Sequence, residues 1–398
     1  MSEDAKRKSI SIVFPADGVV GTFQRILSEN DEILSNKTME VVIDLSKVKF
    51  IEVVTQIYLL AFLNKRISSG KYTKIDLPKN KSVRNALRIW RFPDAIKEIT
   101  DRGFYSLTTE RSKAYFGENQ TKVVQSKSNS DIAQIEDWLP KNVLTITVFK
   151  GSLDYGLALQ VAETWKQRNI QLIFERLFKG SNNEFSSNIV YESIANAVRH
   201  PSAKKVVVAS SLQARAKEQN NKTSPNGYLT LVIWDDGESI VDTIRKGLER
   251  NGTVRHWKND SFNFDYKLRI KKSGKTTSEK IISSDYSPSL DDDNEVILLS
   301  SLLPGITSRP EKENSTNHPS RTMQEDTGKP GMGLFLLLHT ATVVFSGSVL
   351  IRTKDLYASI KCKNINDTKR FECKIENSIG ENSFSGNMIT IRLPLANH

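Results

Sequence analysis

Apolar and polar positions along this chain fall into a run of short strands and helices separated by polar connectors. Residues 9–14 alternate as a half-buried strand does, and residues 40–45 form a second run centred on Val41, Val42 and Ile43. Residues 53–67 carry Tyr58, Leu59, Phe62 and Leu63 at helical spacing and predict a helix with an apolar face. Residues 72–77 read as a third strand, and residues 82–90 as a helix that ends before Phe92-Pro93. Strands alternating with helices at this spacing argue for a compact α/β domain within residues 1–110. Residues 111–140 are then expected to be a linker, polar and mixed in charge, as in Ser126-Lys127-Ser128-Asn129-Ser130-Asp131.

The pattern resumes with a strand at 144–149 and a helix at 153–167. In residues 185–199, Val190, Ile194 and Val198 recur at i, i+4 and i+8, one apolar stripe of a helix. Residues 228–234 are a near-continuous apolar and β-branched run, a covered strand, that breaks at Asp235-Asp236-Gly237. Gly328, Gly331 and Gly333 precede the apolar run 334–338, a glycine-rich loop opening a helix. Between these glycine stretches, residues 241–330 form a long insertion. Its part 249–287 is charged but carries Trp257, Phe262, Phe264 and Tyr266, so strand structure is expected there. Asp291-Asp292-Asp293 is explained by the start of a helix over 296–303, where carboxylates are favoured, better than by a metal site. That helix is expected to stop at Pro304-Gly305. Residues 309–329 hold almost nothing apolar, and mobility is expected.

On the helix over 185–199 a second stripe carries chemistry. Glu192, Asn196 and His200 share the four-residue spacing, which lines up a carboxylate, an amide and an imidazole. A carboxylate can accept a proton from water, and an amide oxygen one turn away can ligate Mg2+, a hard ion that prefers oxygen. Asp235 closes a buried strand with a glycine two residues on, where it could accept hydrogen bonds from a ligand lying close to the backbone. The glycine loop offers free backbone N–H groups and the positive end of a helix to phosphate. Each feature alone also has an ordinary structural reading, as a solvated face, a turn or a connector.

Other candidates fall away. Ser273-Gly274-Lys275-Thr276 ends like a P-loop, but the required glycine five positions before Gly274 is Arg269. His256, His318, His339 and His398 are scattered and serve no triad; His339 lies on an apolar run and reads as packed core.

Composition narrows the class. A length of 398 residues suggests two or three domains, and 38% hydrophobic with 26% charged residues is ordinary for globular protein. No run of eighteen apolar residues and no signal-like N-terminus is present, so no membrane segment is expected. Cys362 and Cys373 are too few for a disulfide framework or zinc site, and a cytoplasmic location follows as the economical expectation. The net charge of +11 would suit an anionic partner, yet the basic residues are dispersed, so nucleic acid is not favoured.

Taken together, Glu192, Asn196-Ala197 and His200, then Asp235-Asp236-Gly237, then Gly331-Met332-Gly333-Leu334 resemble the GHKL superfamily of histidine-kinase-like ATP-binding domains. The closing segments 345–350 and 386–394 resemble it too. The resemblance spans residues 141–398 and implies a two-layer α/β sandwich with a long lid insertion at about 241–330. By that resemblance Glu192 would activate water, Asn196 would hold Mg2+ and Asp235 would read the adenine amino group of ATP. Gly237, His200, Lys329, Gly331 and Gly333 would contact the nucleotide, the last two letting the lid backbone wrap the phosphates. Ser239 stands where the first box usually has a second glycine, and the threonine expected near the last strand is Asn387 or is displaced to Thr390.

In the N-terminal segment, Val42 to Glu52 resembles the STAS domain of anti-sigma-factor antagonists, a smaller α/β domain. The phosphoacceptor serine of that family is absent; Glu52-Val53-Val54-Thr55 stands there, and Thr55 is the nearby hydroxyl. A docking or dimerising domain is the expected use. The whole is therefore read as an α/β (α+β) protein: a Mg-ATP-dependent switch, slowly hydrolysing, whose lid signals nucleotide state to a protein partner or second subunit, a homodimer being one form. Bacterial regulation or defence would suit this pairing of domains. Two alternatives stay open, a serine or histidine protein kinase acting in trans and a non-catalytic nucleotide-binding assembly module. No transducer domain is expected after the last strand, which disfavours topoisomerase or mismatch-repair roles.

Overall fold

The computed structural model describes residues 8–116, 143–153, 155–169, 182–200, 202–214, 227–255, 265–272, 275–308, 331–365, 368–377 and 384–395. The architecture is mixed α/β, with a small parallel sheet, a large mixed sheet and flanking helices. The chain divides into two compact units. One comprises residues 1–148 with 207–212 and 379–384; the other comprises 149–206, 213–378 and 385–398.

In the first unit, β1 (Ser9–Val13), β3 (Glu40–Asp44) and β5 (Thr73–Asp76) form a parallel sheet in that order, with Ile10 opposite Val41 and Ile43 opposite Ile75. A short parallel pair joins β2 (Asp17–Gly18) to β4 (Phe50–Ile51). Parallel strands need crossovers, and here these are α1 (Val20–Glu29) with α2 (Asp31–Ser35), then α3 (Val53–Ser68). Helix α3 was expected to bury a face. Instead every side chain from Val53 to Leu63 is buried, the polar Thr55 and Gln56 included. A helix apolar all round belongs inside a unit, and each large residue so enclosed is worth about 1.5–3 kcal/mol. Near its end the buried Arg66 has no carboxylate partner among the described residues; it donates to Thr73 Oγ1 (2.6 Å) and to the carbonyls of Leu34 (2.8 Å) and Tyr72 (3.3 Å).

Helix α4 (Lys81–Ile89) is capped by the Asn80 side chain, which accepts from the Ser82 amide. The stop at Phe92-Pro93 is a junction rather than an end of helical structure. Arg91 turns the chain with a φ of 58°, and the proline sits in the first turn of α5 (Phe92–Thr100), where a missing N–H costs nothing. After a 3-10 turn (Phe104–Leu107), α6 (Glu110–Phe116) occupies the first residues of the expected linker. Ser112 anchors it, donating to Asp76 and accepting from the Leu77 amide at 2.7 Å. The rest of that linker, 117–142, lies outside the described residues.

Among the described residues the large sheet has nine strands, in the order β10-β9-β13-β12-β11-β14-β8-β7-β6. In chain order these are β6 (Val143–Lys150), β7 (Lys205–Ala214), β8 (Gly227–Asp235), β9 (Asp265–Lys272), β10 (Lys275–Ser283), β11 (Ser348–Thr353), β12 (Leu356–Ile365), β13 (Thr368–Asn377) and β14 (Asn387–Pro394). The sheet is mixed because β13 and β9 pair in parallel while β14 runs antiparallel to both β8 and β11. Helices α7 (Tyr155–Asn169) and α8 (Asn182–Arg199) pack on each other, and α8 also contacts β8.

The insertion 241–330 holds regular structure. It begins in α9 (Ile240–Asn251) and supplies β9, β10 and α10 (Asn294–Ser300). In β9, Tyr266, Leu268 and Ile270 are buried at strand period, while Lys267 and Arg269 face Glu279 of β10 at 3.0 and 2.7 Å. Lys275 and Thr276 of the apparent P-loop thus open an edge strand, not a helix. Asp293 stands at the start of α10 without a side-chain cap bond; Asp292 instead holds the preceding turn, accepting from Tyr286 Oη (2.6 Å) and the Ser289 amide (2.7 Å). The helix stops at Ser300, short of Pro304, where Ser300 and Ser301 hydroxyls fold back onto the carbonyls of Ile297 and Leu298. Among the described residues no group of acidic, histidine or cysteine side chains could hold a metal by itself, and no helix is long and apolar enough to cross a membrane.

Candidate functional site

Helix α8 turns one face inward through Ile189, Val190, Ile194, Ala195, Ala197 and Val198, all buried. The neighbouring stripe of Glu192, Asn196 and His200 is half-buried. The three residues do not serve one place. Glu192 and Asn196 meet Gly333, the first residue of α11 (Gly333–His339): a Cβ added there would stand 2.6 Å from Asn196 Nδ2 and 2.9 Å from Glu192 Oε2. Only a residue without a side chain lets the loop backbone lie this close to the carboxylate and the amide. His200, two turns on, lies against Gly237 instead, with Nδ1 2.3 Å from where a Cβ would be. Its Nδ1 also pairs with Ser202 Oγ at 3.2 Å.

Gly331 makes the turn that delivers Gly333. Its φ is +82°, and a Cβ would run into the backbone of Gly305 and Ile306 at 2.6–2.7 Å. The Gly305 amide donates back to the Gly331 carbonyl at 3.3 Å, so the segment after α10 and the glycine loop are tied together. Lys329 lies outside the described residues, as do Gly328 and the expected mobile stretch 309–329.

At the end of β8 the paired carboxylates have separate tasks. Asp236 accepts from the amides of Lys204 and Lys205 at 2.7 and 2.8 Å and fixes the start of β7. Asp235 is buried; its Oδ1 accepts from the Gly237 amide (3.0 Å) and from Asn387 Nδ2 (3.1 Å). Among the described residues no donor reaches Oδ2, which stays available to a donor from outside.

Asn387 is the residue around which this end is built. Register sets it directly across from Asp235 on β14. It also donates to the Glu238 carbonyl (2.8 Å), and its oxygen accepts from the Ile240 amide (2.9 Å) and Thr353 Oγ1 (2.6 Å). Every hydrogen-bonding position of the amide is thus used, and the Asp235 carboxyl is held in one orientation. Ser239 is explained by the same geometry: its hydroxyl caps α9 by accepting from the Asp242 amide at 3.0 Å. Thr353 was not singled out in the sequence; the only signal for it is a hydroxyl at the end of a strand. Thr390 is buried on β14, and among the described residues its hydroxyl has no hydrogen-bond partner. His339, read as packed core, is half-buried, its ring 5.8 Å from that of Phe335.

Both acids are altered by their surroundings. Loss of water raises the Glu192 carboxyl to about 7 against the opposing pull of Arg199. Loss of water likewise raises Asp235 to about 7, although the bonds from Asn387 and Gly237 act the other way. Two carboxyls poised near neutrality, a half-buried amide and a glycine loop can together accept a proton, bind an exocyclic amine and admit a polyanion. Comparison with models of protein families and with curated proteins finds no match to this chain.

Proposed function

We propose that the second unit is a GHKL-type module that binds Mg-ATP, hydrolyses it slowly and signals nucleotide state to a partner protein or second subunit. The observation that carries this reading is the close approach of Gly333 to Glu192 and Asn196, with buried Asp235, at the end of β8, meeting His200 around Gly237 past the other end of that stripe. His200 follows the last residue of α8, eight positions after Glu192, about 12 Å at helical rise. A nucleotide can lie along that length, base toward Asp235 Oδ2 and phosphates toward the Gly333 amide.

The donor set fits Mg2+, since an amide oxygen from Asn196 together with phosphate oxygens and water is what this ion takes. When bound, the ion would neutralise charge on the phosphates. Glu192 would take the proton of the water that attacks the terminal phosphorus as the bond to the bridging oxygen breaks, and the loop amides would hold the phosphoryl oxygens. Asp235 would accept from the adenine amino group, with Asn387 keeping it in place. In the first unit, a STAS-like docking or dimerising role is supported by Thr55. Its hydroxyl is buried and donates to the Gly18 carbonyl at 2.6 Å, so Thr55 itself is not an accessible acceptor for a phosphoswitch.

The test is phosphate release from Mg-ATP by wild type, Glu192→Ala and Asn196→Ala, alongside binding of a non-hydrolysable analogue. Turnover should rise with pH through about 7 as Glu192 ionises, and Glu192→Ala should lower the rate by about 100-fold or more while still binding the analogue. Binding without phosphate release would move the assignment to phosphotransfer in trans; absence of binding would refute the site.

A further inference from the structure

The first unit contains a cleft of about 1040 Å³ that has no part in the reading above. Its lining comes from the segments that follow the carboxyl ends of all three strands of the parallel sheet: Pro15 and Ala16 after β1, residues 46–49 after β3, and Lys79 and Asn80 after β5. Helix α1 closes one side with Arg25 and Ile26. In open α/β sheets ligands bind outside the carboxyl ends of the strands. Strand order here runs in one direction without reversal, so the crevice is made by the loops themselves. Those loops are joined: the Lys49 amide donates to the Ala16 carbonyl at 2.8 Å, and the Lys79 amide to the Ser46 carbonyl at 3.2 Å. The walls are therefore fixed before any ligand arrives.

Phe14 and Val48 are fully buried beneath the cleft, and its accessible apolar surface comes from Val13, 44% exposed, with the half-buried Pro15 and Ile26. The rim is cationic. Arg25, Lys47, Lys49 and Lys79 all line the cleft, and among the described residues no carboxylate does. Among the described residues none of the four is in an ion pair. Neighbouring strand-end acids are engaged locally: Asp44 accepts from the Ser46 amide, and Asp76 from Thr109 and Ser112. Like charges held around one concavity repel each other, and an anion entering it relieves that repulsion. The cleft is open to solvent and its volume lies at the upper end of small-molecule sites, which suits a compact ligand whose anionic groups reach the rim.

We propose that this cleft binds a small soluble molecule carrying a di- or polyphosphate group, the phosphates held by Arg25, Lys47, Lys49 and Lys79 and the body resting against Val13, Pro15 and Ile26. The site is independent of the one on α8, and its occupancy would make the first unit a sensor of a phosphorylated metabolite.

The experiment titrates inorganic pyrophosphate into the full chain by calorimetry at low and at physiological salt, with lysine acetylation footprinting by mass spectrometry. Wild type and Asn196→Ala should share a saturable site of equal affinity, whatever pyrophosphate binds beside α8. Lys47→Ala combined with Lys79→Ala, both at exposed positions, should weaken binding roughly tenfold and leave the melting temperature unchanged. Pyrophosphate should slow acetylation of Lys47, Lys49 and Lys79 but not of exposed Lys275, and raising salt should weaken binding. Equal affinity in the double variant, loss of binding in Asn196→Ala, or absence of saturable heat would overturn the proposal. So would capture by vesicles containing phosphatidic acid with no response to pyrophosphate, since the ligand would then be a lipid surface.

Discussion

Replacing Glu192 by glutamine keeps the shape of the side chain and removes its charge, so it isolates what ionisation costs the folded protein. In the native state the carboxyl is raised from 4.5 to about 7 by loss of water. Below 4.5 it is protonated whether the chain is folded or not, and wild type and variant should be equally stable in this respect. As pH rises from 4.5 to 7, the unfolded chain releases the proton and the folded chain keeps it, so wild type loses stability with increasing pH. A shift of this size corresponds to about 3 kcal/mol at the alkaline limit. Partial access of water to Glu192 reduces that to about 2 kcal/mol. Glu192→Gln should therefore be more stable than wild type at pH 8 by about 2 kcal/mol and by well under 1 kcal/mol at pH 5. In melting temperature the gap should widen by roughly 3–6 °C across that range for a unit of about 150–250 residues. Asp235 also titrates near 7, but it is present in both proteins and cancels in the comparison. Thermal melts of the two proteins from pH 5 to pH 8 decide the matter. A gap that does not change with pH, or a wild type that is the more stable at pH 8, would show that the carboxyl is well solvated and that the argument from burial fails.

Two further substitutions probe the geometry. Asn387→Ala removes an amide that bonds to Asp235, Glu238, Ile240 and Thr353; unfolding in urea should show a loss of about 2–4 kcal/mol, and release of Asp235 should weaken analogue binding. Gly333→Ala would drive a Cβ to 2.6 Å from Asn196 Nδ2 and 2.9 Å from Glu192 Oε2. Because those contacts are side-chain tips that can move, the melting temperature should fall only slightly while phosphate release falls by at least about tenfold; unchanged turnover would mean that the loop is not positioned by these two residues during reaction.

Much of the fold follows from period alone. The alternation at residues 9–14, the apolar centre of residues 40–45 and the stripe of Val190, Ile194 and Val198 each predict an element that forms, because the side-chain period of a strand or helix is a local property. Where local pattern was insufficient, the reason was also physical. Pro93 ends one helix and starts another, and a proline alone does not tell which. The extent of burial of α3 depends on what surrounds it, and β9 joins the large sheet by pairing with β13, more than ninety residues away, carrying its partner β10 with it.

The same division holds at the candidate site. Sequence by itself placed Glu192, Asn196 and His200 on one stripe, put Asp235 at the end of a buried strand and identified a glycine loop before a helix, since each of these is set by spacing within one element. Tertiary structure alone decided that Gly333 comes to Glu192 and Asn196 while His200 goes to Gly237, and that Asp235 rather than Asp236 is buried. It also decided that Asn387 stands across from Asp235. Those contacts join residues up to 152 positions apart. Their partners are chosen by sheet register and helix packing, and no periodicity within a single segment encodes them.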